Sequence, residues 1–139
     1  MTAAHQETTL QVVIGKVCQL LETKSMTHFR MLSIGCGDGL FDSKILQVIT
    51  DRFPAVKIHY TGTDIDEQIC QKATELLSAL KNVEVEIRVI DFQQMDSSKN
   101  TEFSPCDLVL AAHVFYYMRD IKKALSDAQM FRKTNGITC

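Results

Sequence analysis

Polar and apolar positions along this chain change their spacing several times, and each change marks a boundary between helix and strand. Apolar residues at 10, 13, 14, 17, 20 and 21 share one helical face, which predicts a helix over Leu10–Glu22. Arg30–Ile34 then supplies a first strand. Leu40–Phe53 returns to helical spacing, with Phe41, Ile45, Val48 and Ile49 on one side, and Pro54 ends it, because the residue before a proline is pushed out of the helical region. Val56–Gly62 reads as a second strand, and Asp66–Leu80 as a helix carrying Ile69, Ala73, Leu76, Leu77 and Leu80 on one face. Val83–Ile90 alternates strictly, the mark of a strand with one wet face at or near a sheet edge. Leu108–Ala112 is continuously apolar and predicts a strand covered on both faces. A last helix is expected over Asp120–Arg132, with loops at Ser25–His28 and Met95–Pro105.

Strands alternating with helices in this way predict a doubly wound α/β fold with parallel strands and right-handed crossovers. In such sheets ligands lie beyond the carboxyl ends of the strands, so four strand ends should converge on one pocket. Composition fits one ordinary globular domain: 139 residues, 45% hydrophobic, 23% charged, net charge −2. No basic surplus points to nucleic acid, and no apolar run approaches the length of a membrane span. The amino terminus has neither a charged n-region nor an apolar h-region, so a cytoplasmic protein is expected. Cysteines 18, 36, 70, 106 and 139 are odd in number and lack C-x-x-C spacing, which predicts neither a disulfide framework nor a zinc site.

The candidate chemistry starts where the first strand runs into Gly35, Gly37 and Gly39. Glycine permits positive φ and removes the Cβ that would hold a ligand away from backbone, and a glycine loop between strand and helix is the setting of a nucleotide or nucleoside site. The dinucleotide fingerprint wants its third glycine at position 40, where Leu40 stands, so the spacing favours S-adenosylmethionine over NAD. At the end of the second strand Asp64 is the candidate ribose clamp, able to accept hydrogen bonds from the 2′ and 3′ hydroxyls. An Asp ending a strand is otherwise more often a helix cap, a role that Asp66 is also placed to fill.

With these residues in place, the chain resembles the class I S-adenosylmethionine-dependent methyltransferases, and more closely the histamine N-methyltransferase family. The segments that carry the likeness are Leu32–Gly39, with Ser33 where most of the class has an acidic residue, and Asp107–Ile121 with its Tyr-Tyr pair. The resemblance implies that Gly35, Gly37 and Gly39 contact the cofactor, that Asp64 holds its ribose, and that Gln68 lies close by. Asp91 or Phe92 would sit by the adenine and Ala112 would wall the cofactor. His113, at a position where that family has glutamine, and Tyr116 and Tyr117 would face a small amine or imidazole substrate. Taken without the resemblance, a Tyr pair after a strand is more often packing than a cage, His113 is a satisfied strand-end histidine, Gln68 faces solvent, and Asp91 equally well caps a turn. Methyl transfer from a sulfonium is an in-line displacement with a neutral leaving group and calls for no metal, only for positioning.

The class orders its strands 3-2-1-4-5-7-6, and the sequence ends at Asn135–Cys139, where a fifth strand would begin. The expectation is therefore a C-terminally truncated Rossmann-like sheet of strands one to four, ordered 3-2-1-4. Strand four would be an uncovered edge open to self-association, and catalysis would be impaired in this chain alone. Two other readings stand beside it: a noncatalytic interaction module, distinguished by association without cofactor binding, and an NAD-dependent oxidoreductase domain, distinguished by affinity for NADH.

Overall fold

The computed structural model describes residues 3–91, 106–111 and 132–138. In chain order these form α1 (Ala3–Lys24), β1 (His28–Ile34), α2 (Leu40–Arg52), β2 (Lys57–Asp64), α3 (Glu67–Leu77), β3 (Val83–Val89), β4 (Cys106–Leu110) and β5 (Arg132–Thr138). The strands make one parallel sheet in the order β3-β2-β1-β4-β5. The expected 3-2-1-4 arrangement is present, and the alternating β3 lies at an edge, as its wet face requires.

One expectation is corrected. β5 runs parallel to β4, with Cys106 opposite Arg132 and Leu108 opposite Ile137, so β4 is an interior strand and every described residue of it is buried. Self-association through an exposed β4 loses its physical basis, because the backbone groups that would recruit another strand are already paired. The register shifts between Cys106 and Leu108, which absorbs the irregular stretch of β5 around Asn135 and Gly136. The helix expected over 120–132 and the loop over 95–105 lie outside the described residues, apart from Arg132, which opens β5.

Right-handed crossovers put α2 and α3 on the same face of β1–β3, and α1 packs against α2. Between these helices and the sheet lies the core, built from Val13 and Val17 of α1, Phe29 and Met31 of β1, Ile45 and Ile49 of α2, Ile58 and Tyr60 of β2, and Ala73 and Leu77 of α3. The helical stripes are close to expectation, with two shifts of phase. In α2 the buried set is Asp42, Ile45, Leu46 and Ile49, with Phe41 and Val48 only partly covered. In α3 it is Cys70, Ala73 and Leu77, while Leu76 is exposed. On the opposite face of the sheet, Glu84 of β3 pairs with Lys57 at 2.9 Å and with His59 at 2.8 Å, a polar row in keeping with an edge. No helix among the described residues is long and apolar enough to cross a membrane.

β2 runs two residues past Gly62, because its ladder with β1 continues to Thr63 and its ladder with β3 to Asp64. Gly62 is thus inside the strand, and a Cβ there would stand 2.9 Å from Ile87 Cδ1 and 3.0 Å from both Cys36 Sγ and Tyr60 Cε1. Gly62→Ala is expected to destabilise the fold by roughly 1–3 kcal/mol through overpacking. Urea denaturation checks this, and a midpoint equal to wild type would contradict it.

Candidate functional site

The loop between β1 and α2 takes its shape from three left-handed glycines: Gly35 at φ 67°, Gly37 at 61° and Gly39 at 84°. Side chains with a Cβ adopt this region only at a cost of about 1–2 kcal/mol per residue. The glycines also differ in purpose. A Cβ on Gly39 would press on Leu77 at 3.1 Å, so this glycine lets α2 start against α3. A Cβ on Gly37 would meet nothing within 4 Å, so the space beyond this backbone is open.

β2 holds the loop in place. The Cys36 amide donates to the Thr63 carbonyl at 2.8 Å, and the Gly37 amide donates to Asp64 Oδ2 at 3.1 Å. The other carboxylate oxygen of Asp64 accepts from the Asp66 amide at 3.0 Å. A carboxylate offers about four acceptor positions, and these two bonds leave acceptor capacity on a half-buried group at the carboxyl end of the sheet. Asp66 is the cap of α3, accepting from the Gln68 and Ile69 amides at 2.9 and 3.2 Å. Of the two roles weighed for Asp64, the helix cap falls to Asp66, and Asp64 ties the strand end to the glycine loop.

Gly35, Gly37, Gly39 and Asp64 are thus brought together. Gln68 lies one turn away, exposed on the first turn of α3. Asp91 is half-buried just beyond β3, next to Ile90, whose amide bonds the Asp64 carbonyl at 2.9 Å. Phe92, Ala112, His113, Tyr116 and Tyr117 lie outside the described residues.

Two features escaped the sequence reading. Large apolar side chains stand exposed at this end of the sheet: Ile65 next to Asp64, 68% exposed, Leu40 directly after the glycines, and Val89 opposite Asp64 in the ladder. Large exposed apolar side chains beside a polar anchor are the usual lining of a small-molecule site. The signal was Ile65 itself, an isoleucine in a stretch of acids outside any helical or strand stripe.

Beneath the loop lies a buried polar cluster. Asp42, on the first turn of α2, is 1% exposed and accepts a hydrogen bond from the hydroxyl of Tyr60, itself 1% exposed. Burial raises the Asp42 carboxyl to about 6, although hydrogen bonding from Ser33 and Tyr60 favours its charged form. Burial and the Asp42 charge push the Tyr60 hydroxyl well above its ordinary value. The Cys36 thiol, under burial and the charges of Asp42 and Asp64, is pushed up to about 12, which makes it a packing group and not a nucleophile. The signal for Asp42 was its place in phase with Ile45, Leu46 and Ile49.

A parallel sheet ordered 3-2-1-4, a left-handed glycine loop after its first strand and a carboxylate ending its second define a class I S-adenosylmethionine-dependent methyltransferase. Residues 32–138 match the family described as methyltransferase domain, and the chain belongs to that family. It is similar to probable polyketide synthase 42 of Dictyostelium discoideum, at 29% identity over 117 residues, which cover 78% of this chain and 4% of that protein. Among solved structures it is similar to the CurJ carbon methyltransferase, with TM-score 0.74 and 24% identity over 93% of this chain and 33% of that one. The trans-methyltransferase CalH, solved with S-adenosylhomocysteine, gives TM-score 0.66 and 20% identity over 82% of this chain and 32% of that one. At these identities the structural likeness is one of fold.

Proposed function

We propose that this chain is the cofactor-binding part of a carbon methyltransferase of polyketide type, with S-adenosylmethionine as methyl donor. The observation that carries the reading is the Asp64–Gly37 bond, which joins a ribose-competent carboxylate to a loop whose backbone is open to a ligand. The residues fit the cofactor. Asp64 has acceptor capacity for the ribose hydroxyls, Gly37 and its neighbours allow close approach along the backbone, and Ile65 offers an apolar wall for the adenine. Gly35, Gly39, Gln68, Asp91, Phe92 and Ala112 complete the proposed contact set. Once bound, the cofactor supplies an electrophilic methyl on a sulfonium, and the chain's part is to orient that methyl toward the acceptor and keep water out. The setting we propose is cytoplasmic, supported by four described cysteines that are all free thiols.

The acceptor is where this reading parts from the resemblance to histamine N-methyltransferases. That resemblance pointed to an amine or imidazole facing His113, Tyr116 and Tyr117; the polyketide synthase and carbon methyltransferase relatives point to a carbon nucleophile. Such a carbon is made nucleophilic by loss of a proton next to carbonyl groups, as in an acyl thioester with a second carbonyl. The test is calorimetric titration with S-adenosylhomocysteine and NADH, followed by labelled methyl transfer to such a thioester and to histamine. Saturable binding of the homocysteine compound and not of NADH is expected, and whatever label the chain transfers is expected in the thioester. Label in histamine instead would overturn the carbon assignment, and NADH binding would overturn the class.

A smaller prediction concerns Gly37. Gly37→Ala is expected to cost about 1 kcal/mol of stability from its φ alone, since its Cβ meets no protein atom. It is also expected to weaken S-adenosylhomocysteine binding about tenfold, a further ~1.4 kcal/mol, by filling the ligand's space. Thermal unfolding and titration of the same sample separate the two effects, and unchanged affinity would remove Gly37 from the site.

A further inference from the structure

The glycine loop has an entrance and an exit, and both are fastened to β2. At the entrance the Cys36 and Gly37 amides bond Thr63 and Asp64 at the end of the strand. The exit is α2, whose first turn carries Asp42, and Asp42 is joined to β2 by the hydroxyl of Tyr60. Tyr60 also supports the loop from below, since its ring edge and Cys36 Sγ are two of the three groups closing on Gly62. The distance that the loop must bridge is therefore fixed at one end by two backbone amides, one bonded to a carbonyl and one to the Asp64 carboxylate, and at the other by the side chain of Asp42, whose bond to β2 is the one from Tyr60.

A fully buried carboxylate is an expensive group with which to make that bond. Among the described residues, the groups that act on Asp42 are the Ser33 and Tyr60 hydroxyls and the Asp38 carboxylate, and none of these is a cation. A pair of apolar side chains would fill the same space without desolvating a charge. What apolar packing would not supply is direction: a hydrogen bond fixes the approach of α2 to β2 to within a few tenths of an ångström. We propose that Asp42 and Tyr60 are positioning residues for the cofactor, their bond setting the separation of α2 from β2 and thereby holding the glycine loop in its ligand-accepting shape. This rests on the methyltransferase reading above for the identity of the ligand, though not for the effect on the loop.

The test uses the full chain and two readouts: S-adenosylhomocysteine affinity, and hydrogen exchange at the amides of residues 36–43 without ligand. Tyr60→Phe removes the donor alone and is expected to weaken binding about tenfold and to speed exchange at Gly39 and Leu40, with exchange in β1 unchanged. Asp42→Ala is expected to do the same. The double variant should be no weaker than Asp42→Ala, because the bond between Asp42 and Tyr60 is already lost in that variant. Asp42→Asn retains an acceptor for the Tyr60 hydroxyl and is expected to keep both readouts within about twofold of wild type, a rescue that mere sensitivity of the core to substitution does not produce. Wild-type affinity and exchange in both Tyr60→Phe and Asp42→Ala would overturn the proposal, as would equal damage in Asp42→Asn. If the wild type takes up no S-adenosylhomocysteine, the cofactor reading fails, and the exchange data alone then decide whether the bond shapes the loop.

Discussion

Asp64→Ala is expected to weaken S-adenosylhomocysteine binding by more than about 100-fold, the largest loss of function foreseen for any single side chain here. The carboxylate has two tasks, and alanine ends both. Two hydrogen bonds from ribose hydroxyls to a charged acceptor are worth roughly 3 kcal/mol together, which is already about two decades of affinity. The variant also releases the Gly37 amide from its 3.1 Å bond, so the loop loses its tie to the end of β2. The Asp66 amide loses its partner as well, and the combined cost in stability is about 1–2 kcal/mol. Calorimetry on protein shown to be folded by circular dichroism checks the result. Affinity within threefold of wild type would remove Asp64 from the ligand and leave it a loop tether only.

The second large effect lies in stability as a function of pH. Burial raises the Asp42 carboxyl from 3.8 to about 6, so between these values the folded protein holds a proton that the unfolded chain has released. The contribution of this group to stability is complete below about pH 4, falls as pH rises, and is lost once the folded value is passed. Two pH units correspond to about 3 kcal/mol. Asp42→Asn keeps an acceptor for Tyr60 but does not ionise. Relative to wild type it is expected to gain about 3 kcal/mol on going from pH 4 to pH 7.5, with all other titrations cancelling between the two proteins. Urea denaturation of both at the two pH values measures the difference directly. Equal differences at both would show that Asp42 is not buried as a charge.

Spacing alone made much of this architecture legible. The strict alternation of Val83–Ile90 placed β3 at or near an edge, and the unbroken apolar run Leu108–Ala112 called for cover on both faces of β4, because burial on one face or two leaves different marks on a strand; that β4 also has a neighbour on each side was not foreseen. β5 left no such mark. A fifth strand was expected only to begin at Asn135, where the sequence ends, yet Arg132–Thr138 with its Asn135 and Gly136 becomes a strand through pairing with β4, a tertiary effect that local pattern does not record. The meeting of Gly37 and Asp64 was legible because topology brings the ends of adjacent parallel strands together whatever lies between them. The Asp42–Tyr60 bond was not legible. A tyrosine on a strand is ordinarily core, an aspartate in a first helical turn is ordinarily a solvated favourable charge, and only the closeness of α2 to β2 makes them partners.

Because the bond from the Gly37 amide to Asp64 is one that the chain makes with itself, the freedom of the glycines is surrendered when the chain folds. Association should therefore proceed in one kinetic step, without the slow phase that marks an ordering loop, and the unfolding temperature should rise with the logarithm of free ligand concentration once that exceeds Kd.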